Sequence, residues 1–253
     1  MSIAKAGRPI ASLADWEQYA PPKSPRHWVD GRSAKEVARA WLEGGGITMP
    51  PEVLATLSGH PRFDDVLSWD AEPEGRLRFD AFPGEPRNTD VLVVANDAFG
   101  PFVLAVEAKA DEPYGDTLGT VLAAALERRI ENPRSKGIAR IEGLATLLLI
   151  PRSAGLPKAR DLRYQLFTAC AGALAEAQRR RAGRAVMLVH EFITPATSDV
   201  KHARNASDFR LFLSRISGCS HRDVADGELQ GPFVFAPYAS VELFVGKVTR
   251  NRR

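Results

Sequence analysis

The sequence predicts a single three-layer α/β domain whose mixed central sheet lies between helices. Residues 90–95 and 102–109 are near-continuous apolar runs, the pattern of strands covered on both faces. Stretches of helical period and further strand-like runs follow them, so strands meet helices on both sides of a sheet. No internal repeat and no Gly/Ser-rich linker divides the 253 residues. A chain of this length buries roughly 70–75% of its unfolded surface and needs no covalent staples.

Taken in order, residues 1–27 carry Pro9, Pro21, Pro22 and Pro25 among few apolar groups, and are expected to form an arm over a domain spanning 28–246. A helix is predicted over 34–42, where Val37, Ala38, Trp41 and Leu42 recur at helical spacing and Gly44-Gly45-Gly46 ends the run. A short helix over 50–58 leads into a turn-rich stretch, 59–74. Alternation predicts a strand over 76–82, and the two apolar strands follow with 96–100 as the turn between them. Beyond lie a helix over 117–130, a strand over 145–150, a long helix over 159–181, a strand over 185–192, a helix over 208–216 and an edge strand over 241–245. Residues 247–253, with Lys247, Arg250, Arg252 and Arg253, are expected to be a flexible basic tail.

With 44% hydrophobic and 26% charged residues, the chain is neither disordered nor collagen-like nor a disulfide scaffold. No apolar run approaches the roughly 18 residues of a membrane span. Cys170 and Cys219 are too few for a zinc site and, without a signal peptide, are expected to be reduced packing thiols of a soluble cytoplasmic protein. There is no Gly-X-X-X-X-Gly-Lys phosphate loop and no Gly-X-Ser-X-Gly elbow. His27, His60, His190, His202 and His221 show no metal-ligand spacing, and His190, alternating with Leu188 and Phe192, is expected in the core. Net charge is +3, with 8 Lys against 26 Arg. An Arg excess suits phosphate recognition, and genome composition can equally produce it.

Chemistry enters with the hairpin. If Asp97 stands opposite Gly100, then Val94 faces Val103, Leu92 faces Ala105 and Asp90 faces Glu107. Directly opposed residues share a face with Cβ atoms about 4.5–5.5 Å apart, and Lys109, two residues on, points to the same face. Adjacent carboxylates repel unless a cation or shared proton compensates. Two carboxylates with waters and phosphate oxygens suit Mg²⁺. The alternative is that Asp90 is a turn residue after Asn88-Thr89, with Glu107 and Lys109 paired across the surface. A register slip of one residue would put Asp90 on the other face.

Asp90 at a strand start and Glu107-Ala108-Lys109 at the end of the next strand resemble the motif of the PD-(D/E)XK nuclease superfamily, with Thr89 in place of its proline and Pro86 nearby. The resemblance spans 33–192. It implies a restriction-endonuclease-like fold and Mg²⁺-dependent cleavage of nucleic acid, DNA in the first instance, with Mn²⁺ as a substitute ion. Asp90, Glu107 and the carbonyl of Ala108 would hold the metal and Lys109 would position the water. Glu36 would complete the metal site, as an acidic residue of the first helix does in many members. It equally completes a capping box, Ser33-Ala34-Lys35-Glu36. Gln165, with Arg163, matches the polar-plus-Gln signature of the helix after the sheet, although both flank that helix's buried stripe. Residues 110–164 intervene where the superfamily runs more directly, so either they are inserted or the 117–130 helix is the true equivalent.

Arg128, Arg129, Arg134 and Lys136, around the turn at Pro133, are candidate phosphate contacts together with Arg163; a solvated loop is the alternative. The expected partner is nucleic acid, with no membrane and with a homodimer conceivable. The competing reading is a catalytically inactive module of the same fold that binds nucleic acid or a protein.

Overall fold

The computed structural model describes residues 1–219 and 224–253; His221 lies outside the described residues. The chain forms an α/β protein with an eight-stranded mixed sheet and, among the described residues, seven α-helices. The strands are β1 (Ser2–Lys5), β2 (Arg8–Pro9), β3 (Ser68–Leu77), β4 (Arg87–Asp97), β5 (Gly100–Lys109), β6 (Arg184–Ile193), β7 (Glu228–Phe233) and β8 (Glu242–Asn251), in the order β2-β1-β3-β4-β5-β6-β8-β7. The helices are α1 (Leu13–Tyr19), α2 (Ser33–Trp41), α3 (Pro51–Ser58), α4 (Leu118–Glu131), α5 (Gly137–Leu148), α6 (Tyr164–Arg179) and α7 (Asp199–Ser217).

Two apolar cores make the layers. Trp16, Val37, Trp41, Val53 and Leu57 of α1–α3 pack on one face with Val91, Val93, Leu104 and Val106. Leu144, Leu166, Phe167, Leu174 and Phe212 of α5, α6 and α7 pack on the other with Leu92, Val103, Ala105 and Val189. The alternation of Val91 against Leu92 and of Leu104 against Ala105 is the strand period dividing one apolar run between two cores. β3, β4 and β5 form an antiparallel meander, and β6 joins β5 in parallel after the crossover through α4–α6.

Several elements differ from the sequence expectation. Of residues 145–150, expected as a strand, 145–148 form the last turn of helix α5 and Leu149 is its C-cap: Ile141, Leu144 and Leu148 are buried at helical spacing, and a six-residue apolar run does not distinguish strand from buried helix. The strand expected over 76–82 lies earlier, at Ser68–Leu77, where Asp, Glu, Pro and Gly disguise an alternation that buries Trp69, Ala71, Pro73, Gly75 and Leu77. The long helix begins at Tyr164 instead of 159, after an extended Leu162 and Arg163.

Both termini, expected to be irregular, contribute to the sheet. β1 pairs in parallel with β3, Ser2 opposite Asp70, and buries Ile3, while Ala6 and Gly7 turn the chain into β2 with positive φ at both positions. Residues 241–245 begin β8, which lies inside the sheet between β6 and β7 and continues through the expected tail. The tail's charges are paired: Lys247 with Glu191, Arg250 with Glu52 and Glu43, Arg252 with Glu36 and Glu43, Arg253 with Asp199. Cys170 is buried as expected, whereas Cys219 is exposed. Among the described residues no helix is long and apolar enough to cross a membrane.

Candidate functional site

The hairpin register is the one that brings the acids together. Asp97 stands opposite Gly100, Leu92 opposite Ala105 and Val91 opposite Val106, which sets Asp90 level with Glu107. The ladder ends there because the side chain of Asp90 replaces a backbone acceptor: its Oδ2 accepts the N–H of Ala108 at 2.7 Å. On the other side of β4, Pro73 faces Val91 and Gly75 faces Thr89, so Glu74 is level with Asp90. Three carboxylates thus occupy one row across three adjacent strands.

Glu74 was not legible as a site residue, because the strand that carries it was expected two residues further on. At Glu74 the backbone takes φ 50°, and here β3 changes face: Trp69 and Ala71 pack on the α1–α3 side, whereas Leu77, of the same parity, packs on the α6 side. The signal was the Pro73-Glu74-Gly75 interruption inside an alternating stretch, a pattern typical of bulged or kinked strands.

The acids line a cavity of about 570 Å³ with Arg87, Asn88, Lys109 and Gln165. The exposed Lys23, His27 and Glu85 stand at its rim, so it opens to solvent. Glu107 is buried and fully engaged. Arg87 donates to Oε2, and Gln165, from the first turn of α6, donates to Oε1. Lys109 Nζ lies 3.1 Å from Oε1. The ring of Tyr114 sits 5.6 Å from the Lys109 ammonium, closing its other side. Burial opposes ionisation of Glu107, but Arg87 and Lys109 outweigh it and hold its pKa below the usual carboxylate range. Asp90 has no ion pair among the described residues, and burial and then the charge of Glu107 push it up to about 8. Burial, and the charge of Glu107, also raise Glu74.

Of the other expected residues, Glu36 does not line the cavity. Its Oε1 accepts the Gly31 N–H at 3.0 Å and pairs with Arg39 at 2.7 Å; the expected capping box does not form, because Arg32 is the N-cap of α2 and the Ser33 hydroxyl donates to Glu112 instead. Arg163 is buried, bound to Asp208 at 2.8 Å and to the carbonyl of Gly115, and serves to seat α6. Arg128 and Arg129 end α4, and Arg134 and Lys136 lie in the following loop; all four are exposed and none lines the cavity.

Carboxylate oxygens of Asp90, Glu107 and Glu74 are hard ligands, and Mg²⁺ binds proteins through one or two carboxylates while keeping several waters. Among the described residues no group of three or more His, Cys, Asp or Glu side chains is arranged to cage a metal. Asp90, with no ion pair among the described residues, fits such an ion once it gives up its proton; Glu107 fits once Arg87 yields its oxygen.

Fold and cavity together define a mixed-sheet α/β protein with a row of acids, Glu107 buried and Glu74 and Asp90 half-buried, and one lysine at the strand ends of its central meander. The chain belongs to the family described as Domain of unknown function (DUF6946), which matches residues 9–252. No curated protein and no solved structure matches it.

Proposed function

We propose that the chain is a divalent-metal-dependent nuclease of restriction-endonuclease-like fold that hydrolyses phosphodiester bonds of nucleic acid, DNA in the first instance. One observation carries the reading: Asp90, Glu107, Lys109 and Gln165, separated by up to 75 positions in the chain, meet in one solvent-connected cavity. The order of elements supports it. Helix α2 precedes the β3–β4–β5 meander, Asp90 lies on the middle strand, Glu107-Ala108-Lys109 ends the third, and α6 brings Gln165 onto Glu107. This arrangement favours α6 over α4 as the equivalent helix, with α4 and α5 inserted.

Mg²⁺ or Mn²⁺, held by Asp90, Glu107 and the Ala108 carbonyl, would offset phosphate charge and acidify a water. The Ala108 N–H fixes the orientation of Asp90. Gln165 fixes that of Glu107. Lys109, whose ammonium is braced by Tyr114 and Glu107, orients the attacking water and balances negative charge developing on the phosphate. Purified protein incubated with Mg²⁺ or Mn²⁺ and single- or double-stranded DNA is expected to cleave it, and Asp90→Ala and Lys109→Ala each to abolish cleavage. Retention of full activity in both variants sinks the reading.

The Arg87–Glu107 pair favours a second reading, a non-catalytic module binding nucleic acid or a protein, because a guanidinium already neutralises the carboxylate that the metal needs. Calorimetric titration with Mg²⁺ and Mn²⁺ separates the two. Heat of binding that Asp90→Ala removes supports the enzyme; no binding up to millimolar ion, together with retained DNA affinity, supports the module.

A further inference from the structure

Beside the acidic cavity lies a second, smaller one of about 180 Å³, and Glu85, Pro86, Arg87, Tyr164 and Thr168 line both. Its remaining walls are chiefly Leu77, Phe79, Asp80 and Arg140. It is below the roughly 300–1,000 Å³ of drug-sized sites and of a size for one planar ring system. The loop that forms it, residues 78–86, is held in shape by two arginines. Arg78 donates to the carbonyls of Phe82 and Gly84, each at 3.0 Å, and Arg140 grips Asp80 at 2.6 and 3.3 Å. The pocket is therefore preformed, with apolar and aromatic walls and polar groups at Thr168, Asp80 and Arg140. Tyr164 connects it to the acids through the chain itself: it precedes Gln165, which binds Glu107.

Resting on the nuclease reading, we infer that this pocket takes a nucleobase of the nucleotide adjoining the phosphate at Lys109, so that the substrate strand must be unpaired there. A base inside a duplex stack presents only its edges, whereas an unpaired base can enter a side pocket and stack on an aromatic ring. Arg87, lining both cavities, stands where the sugar–phosphate link between base and scissile phosphate would run.

The test compares a fluorescein-labelled oligothymidylate, the same backbone without bases, the duplex of the first with oligoadenylate, and an oligouridylate. Binding is read by anisotropy in EDTA and cleavage in Mg²⁺. Base-bearing single strands are expected to bind at least about fivefold more tightly than the abasic strand, the lower end of what base–aromatic stacking contributes. Tyr164→Ala is expected to erase that difference, and Phe79→Leu, which keeps apolar bulk should the first variant fold poorly, to reduce it. Preference for thymidylate or uridylate identifies the strand chemistry, and either preference over the abasic strand supports the pocket. Equal affinity for abasic and base-bearing strands, or cleavage of duplex as fast as single strand, overturns the inference while leaving the nuclease reading intact. Failure to bind or cleave any oligonucleotide overturns both.

Discussion

At Glu74 the left-handed backbone, φ 50°, costs a non-glycine residue of order 1–3 kcal/mol, and the side chain it carries joins two other carboxylates. Glu74→Gly is expected to raise Tm by about 2–4 °C per kcal/mol released and to weaken Mg²⁺ binding, measured by thermal unfolding and calorimetry. A lower Tm would mean that the hydrogen bond from Asn88, 3.1 Å long, outweighs the strain. At Asp90 the sign follows from its folded pKa of about 8 against 3.8 for an ordinary aspartate. The proton is held more tightly in the folded chain, so the contribution to stability is complete below about pH 4 and is lost as pH rises through 8. Asp90→Asn is therefore expected to leave stability unchanged at low pH and to raise it in alkaline buffer. Mg²⁺ should raise Tm of the natural protein at alkaline pH and not that of the variant.

Among the elements, α3 shows how polar groups fix the layers. Glu52 of α3 accepts from His190 of β6 at 2.8 Å and from Arg250 of β8 at 2.5 and 2.8 Å. Burial acts to raise its pKa, but the hydrogen bonds from His190 and Arg250 outweigh it and bring it to about 2. Its stabilisation is thus present above about pH 4.5 and lost as pH falls through 2. Glu52→Gln is expected to cost about 2–3 kcal/mol at neutral pH, somewhat under the cost of breaking a fully buried pair, with the difference from the natural protein closing in strong acid. Urea unfolding at several pH values measures both. His190 is the core histidine that its strand position suggested, and burial depresses its pKa. The helices with clear apolar period, α2 and α6, were legible within a few residues. α5 was not, because its last turn is a run of leucines, alanine and threonine with no polar face to betray the helical period.

For the molecule as a whole, the Arg excess finds a use other than the one composition suggested. Arg184 binds Asp97, Arg163 binds Asp208, Arg140 binds Asp80 and Arg250 binds Glu52. Many arginines therefore serve as internal ties between distant segments, for which their fixed fork of donors is suited. Since β8, lying between β6 and β7, ties Lys247 to Glu191 of β6 and Arg250 to Glu52 of α3, removal of residues 247–253 is expected to unfold the protein. Circular dichroism would show this, and a folded, cooperatively melting truncation would contradict it. The sequence by itself determined the layered α/β class and the apolar hairpin, and it set out the one register in which Asp90 meets Glu107, because period-2 alternation and a short turn are local and are read without knowledge of the rest. Only the tertiary structure decided that the termini complete the sheet, that Glu74 joins the acids in place of Glu36, and that Arg87 and Gln165 hold Glu107. Those contacts depend on which strand lies beside which and on where α6 is set down, and no local pattern encodes either.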